Sequence, residues 1–176
     1  MTTTATVLEA RLAEVLEEKS LLKHPFYRAW TQGTLPAERL QEYARQYFHF
    51  EAAFPRFLSA LHSRVEDPGV RQLILENLWD EEYGERNHRA LWLEFAEALG
   101  VRRAEVEASA ANAETAALVA HFDTMCREGA PGDALATLYA YEGQVPAVAR
   151  RPRAGLQACY RLQPQAFEFI KVPETA

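Results

Sequence analysis

Cysteine is scarce in this chain: two residues, Cys126 and Cys159, among 176. They form no Cys-x-x-Cys pair, which excludes a zinc knuckle. Basic charge is also short, with 19 Lys and Arg against 25 Asp and Glu, a net charge of -6. A nucleic acid is therefore not the expected partner, because phosphate binding needs a basic face. The one basic cluster, Arg150, Arg151 and Arg153, reads as a solvated helix end. Long apolar runs are missing: no stretch approaches eighteen uncharged apolar residues, so no membrane span is expected. The start, Met1-Thr2-Thr3-Thr4-Ala5-Thr6, has no basic region followed by an apolar run, so no signal peptide is expected either. A reducing cytoplasm is the default location. Period-two alternation never persists for five residues, and no repeat or low-complexity tract occurs.

What is present is helical period and enough apolar mass to use it. Hydrophobic residues make up 48% of the chain and charged residues 25%. One domain over residues 1–176 is expected, with a core that needs no staples. Leu8, Leu12, Val15 and Leu16 form one stripe. Pro25 restarts a short helix at a first-turn position, and Gly33 ends it. A long run follows from Pro36 to about Val65 with Pro55 inside it, where a kink is expected. Asp67-Pro68-Gly69 opens a run that reaches Leu99, closed by Gly100; Gly84 lies mid-run and marks a bend. Further runs cover about Ala104 to Glu128 and, after Asp133 as N-cap, Ala134 to Tyr160. Gln163-Pro164 opens a final piece with Phe167, Phe169 and Ile170. The expectation is an all-α bundle of about six or seven helices with short connections.

Glu81 and His88 are seven residues apart. On one continuous helix they share a face but stand roughly 10 Å apart along the axis, too far to grip one ion together. From spacing alone the acidic stretch around them reads as a solvated face. Glu142 leans the other way. It lies among Leu135, Leu138, Tyr139, Val145 and Val148, so it should point partly inward, where a glutamate needs a partner. Carboxylate plus imidazole is the ligand mix for iron or manganese. Tyr43, Tyr47, His49 and Glu51 sit on an aromatic-rich helix and read as core rather than as a cofactor site. His24 reads as a cap, His62 and His121 as surface. Cys126 reads as a buried inert thiol, since no histidine is placed to serve it.

The runs HPFYRAW, LQEYARQYFHFEAAFPRFLSALHSR, NLWDEEYGERNH and LYAYEGQVP resemble the TenA/Thi-4 and PQQ-synthase superfamily, which has the haem-oxygenase-like helical fold. The branch most similar is that of the Chlamydia protein associating with death domains, a self-sacrificing para-aminobenzoate synthase. The resemblance spans nearly all of residues 8–176. It implies a dimetal centre whose Glu-x6-His pair falls on Glu81 and His88, and whose further glutamate, in Tyr-x-Tyr-Glu-x-Gln-x-Pro, falls on Glu142. It implies cavity tyrosines at Tyr27 and Tyr43; in the relatives such a tyrosine supplies the ring of the product. Those relatives complete the site with His-x3-Asp-x2-His on a last helix. Here Pro173 aligns with the first histidine, and no Asp or second His follows before Ala176. A missing last helix and an incomplete ligand set are therefore expected, with iron or manganese at partial occupancy or none, and no haem.

Three functions compete at this stage. The first is an oxygen-dependent oxidase related to para-aminobenzoate synthase, acting on a small aromatic molecule, with the absent ligands drawn from Glu174, His49 or a second subunit. The second is a binding or structural paralogue without catalysis. The third is a TenA-like thiamin-related hydrolase, ranked last because Cys126 matches no known motif. A lost last helix would expose apolar faces, so a homodimer is expected.

Overall fold

The computed structural model describes residues 4–145, 147, 148 and 160. The basic cluster, Cys159, the final piece from Gln163 and the question of a last helix lie outside the described residues. Among those described there are eight α-helices and one 3-10 turn, and no strand. None of these helices is long and apolar enough to cross a membrane.

The chain forms two compact units. One is Pro36–Thr137; among described residues the other is made by those up to Leu35 and from Leu138 on. The second-named unit holds α1 (Thr4–Glu18), the 3-10 turn Leu21–Lys23, α2 (Pro25–Thr31) and the end of α8 (Pro131–Glu142). His24 caps α2, its Nδ1 accepting from Phe26 N at 3.2 Å. Gln144 Oε1 accepts from Leu21 N at 2.8 Å. The α1 stripe is less sheltered than its period implies: Leu8 and Val15 are exposed, Leu12 and Leu16 half-buried.

The larger unit is built on α3 (Ala37–His62), against which α4 (Pro68–Glu82), α5 (His88–Ala98), α6 (Arg103–Glu107) and α7 (Ala113–Glu128) all pack. The α3 helix runs unbroken through Pro55. Its buried row, Leu40, Ala44, Phe48, Pro55 and Leu58, follows steps of three, four and seven residues. Phe50 and Phe57 are fully buried and meet Phe122 of α7, Phe50 edge-on at 4.9 Å. Arg64 closes the end of α7 by donating to Cys126 O at 3.0 Å and Gly129 O at 2.7 Å. At the end of α5, Gly100 has φ 86°, and Val101 N donates to Ala96 O while Gly100 N donates to Glu97 O, both at 2.9 Å. That pair is a Schellman stop, and it needs the left-handed residue glycine supplies.

Two runs that periodicity joins are broken. The stretch Ala104–Glu128 splits into α6 and α7, because Asn112 caps a new start, its side chain accepting from Thr115 N at 2.8 Å. The stretch from Pro68 to Leu99 splits at residues 83–87, and this break forms the site.

Candidate metal centre

The α4 helix stops at Glu82. Tyr83 is extended, and Gly84 turns the chain with φ 85°. Asn87 then joins the two helix ends. Its Oδ1 accepts from Ala90 N at 3.0 Å, capping α5, and its Nδ2 donates to Glu82 O at 3.1 Å, closing α4. Glu81 is thus one residue from the end of α4, and His88 is the first residue of α5.

The consequence corrects the sequence expectation. Glu81 and His88 do not lie two turns apart on one helix. The turn at Gly84 folds the chain back, and His88 Nδ1 stands 2.8 Å from Glu81 Oε1. The solvated-face reading fails for Glu81, which is 6% exposed. Its Oε2 is buried and has no hydrogen-bond partner among the described residues. An orphaned, buried carboxylate oxygen is costly.

A third donor comes from α3. Glu51, half-buried, brings a carboxylate oxygen to the pair, so that one donor atom from each of Glu51, Glu81 and His88 lies within 4.8 Å of the others. These donors suit a hard or borderline divalent cation, and the orphaned Oε2 marks where such an ion is wanted. The residues present therefore fit such an ion, iron and manganese included.

Sequence reasoning missed Glu51 as a donor. A signal was there: it stands three residues after Phe48 and four before Pro55, on the buried row of α3. A charged residue on such a row needs a reason.

The helices are held in antiparallel register. Gln41 Nε2 donates to Leu99 O at 2.8 Å, and Trp92 Nε1 donates to Ala44 O at 2.8 Å. The Trp92 ring meets Tyr47 at 4.5 Å and Tyr43 at 5.7 Å, and Tyr43 stacks on Tyr47 at 5.3 Å. Tyr43 is thus half-buried in an aromatic wall, two turns before Glu51 on α3. Tyr27 lies in the smaller unit, on α2, buried between Trp30, stacked at 6.0 Å, and Phe26, edge-on at 5.4 Å. Glu142 also lies in that unit, half-buried, as the last residue of α8. His49 is half-buried, with Ser109 Oγ 3.4 Å from its Nε2. Cys126 is fully buried and its thiol is pushed up to about 11, chiefly by burial and next by Asp123, against the opposing pull of Arg64 and Arg127. It is no nucleophile near neutral pH.

Comparison with known proteins agrees with this architecture. Residues 41–176 match the family model described as iron-containing redox enzyme. A 4-aminobenzoate synthase of Nitrosomonas europaea is 43% identical over 172 residues, covering 92% of this chain and 70% of that protein. A 4-aminobenzoate synthase of Chlamydia muridarum is also 43% identical, over 83% of this chain. This chain spans 62% of that relative's length. Among solved structures, a domain with a heme oxygenase-like fold from Shewanella denitrificans superposes with a TM-score of 0.75 at 19% identity, covering 96% of this chain and 71% of that one. That last likeness speaks to fold alone. On the sequence matches, the chain belongs to the haem-oxygenase-like family of iron-containing redox enzymes.

Proposed function

We propose that this chain is an oxygen-dependent oxidase of the 4-aminobenzoate-synthase kind, holding iron or manganese at Glu81 and His88. The observation that carries the reading is the buried Glu81 carboxylate, with one oxygen 2.8 Å from His88 Nδ1 and the other without a partner among the described residues. Bound iron would supply the one-electron chemistry with dioxygen that amino-acid side chains lack. The protein's own groups hold and shield the site. Asn87 fixes the ends of α4 and α5, so that Glu81 and His88 are presented together. Tyr43, Tyr47 and Trp92 give a wall of aromatic surface beside the row that carries Glu51. Tyr27 and Tyr43 are the proposed sources of the product ring, again on the strength of the resemblance.

Iron-loaded protein incubated with dioxygen, a reductant and a primary-amine donor for the ring nitrogen should release 4-aminobenzoate, with a matching loss of mass at Tyr27 or Tyr43 in peptide mass spectra. Glu81→Gln should abolish both. If loaded wild-type protein gives neither product nor a modified tyrosine, the oxidase reading is wrong.

A further inference from the structure

We propose that Glu51 is a direct metal ligand, so that α3, α4 and α5 hold one divalent ion on Glu51, Glu81 and His88. This rests on the iron-binding reading above and adds a donor that the Glu-x6-His pattern does not contain. Two independent observations support it.

The first is register. Gln41 is paired with Leu99, and Ala44 and Tyr47 with Trp92, so α3 advances as α5 recedes. One turn beyond Tyr47 on α3 is Glu51, and one turn before Trp92 on α5 is His88. The same fixed pairing that buries the Trp92 ring therefore sets Glu51 against His88, and their donor atoms meet that of Glu81 within 4.8 Å.

The second is the state of Glu81. Its side chain is 7% exposed and its Oε2 has no partner among the described residues. A second carboxylate brought beside it in a partly dry site adds repulsion to that desolvation cost. A divalent cation removes both penalties at once, by accepting an oxygen from each carboxylate. Three donors on three elements suffice for one ion and leave positions for water or substrate.

The test uses the full chain, freed of metal and titrated anaerobically with Fe(II), and separately with Co(II) for its visible d–d bands. Wild type should bind an ion at this site. Glu51→Gln should weaken binding by about tenfold or more and change the Co(II) bands. Glu51→His, which keeps a donor, should recover much of the affinity with a shifted spectrum, and it also covers the case in which Glu51→Gln fails to fold. Glu85→Gln, an exposed neighbour, should change nothing. If Glu51→Gln binds both ions as wild type does, with the same bands, Glu51 is not a ligand while the iron-binding reading stands. If wild type itself takes up neither ion, both fall.

Discussion

At the residue scale Glu81 carries a desolvation cost that a bound cation would relieve. Its buried Oε2 has no hydrogen-bond partner among the described residues, so the metal-free protein should gain stability when that group is removed. Glu81→Met is expected to raise the unfolding free energy of metal-free protein by about 1 kcal/mol while abolishing iron uptake. Denaturant melts of the two metal-free proteins check this; a clear loss of stability in the variant would mean that Oε2 is well satisfied. Cys126 gives a second residue-level outcome. Its folded thiol is pushed up from 9.0 to about 11, so its contribution is fully present below pH 9 and is lost as the pH rises toward 11. Over that window wild type should lose stability relative to Cys126→Ala, by on the order of 2 kcal/mol. Parallel curves for the two proteins would place the thiol in contact with water. The difference between these residues also shows what was readable in advance. Cys126 was recognisable as inert because nothing along the chain could activate it. Glu51 was passed over as a donor: its aromatic neighbours Phe50 and Phe54 gave the segment the look of plain core and hid the signal of a charge on the buried row.

At the element scale the site depends on one break. Periodicity carries across residues 83–87, since Leu78 and Trp92 stand fourteen residues, close to four full turns, apart. Local chemistry overrides it: Gly84 admits φ 85°, and Asn87 caps one helix while closing the other. The presence of both helices was legible; the 2.8 Å contact between Glu81 and His88 was not, because it needs the fold-back rather than the period. Asn87→Ala should cost about 1 kcal/mol from the lost cap and weaken metal binding more than it weakens the fold. Gly84→Ala forces an alanine into the left-handed region and should cost about 1–2 kcal/mol. Calorimetric unfolding together with iron titration reads both; an Asn87→Ala protein with unchanged iron affinity would show that the two helix ends hold their positions without it.

At the scale of the whole molecule, the class was clear from the sequence because nearly every segment repeats at helical spacing and none alternates. Assembly was argued from apolar faces in need of cover, and α4 presents one: Leu75 and Trp79 are 50% and 55% exposed, and Tyr83, 64% exposed, stacks on Trp79 at 3.8 Å. We propose that this face joins two copies, the commonest closed assembly. Sedimentation of wild type should show a dimer at micromolar concentration, and Trp79→Lys should shift it to monomer; a wild-type monomer would contradict this. The central claim is that the turn at Gly84 builds an iron site from Glu81 and His88. Anomalous diffraction at the iron edge, from crystals grown with Fe(II), tests it most directly. The account predicts a peak bonded to Glu81 and His88, with Glu51 on the same ion; an iron peak elsewhere only, or no iron peak from crystals grown at saturating Fe(II), would contradict it.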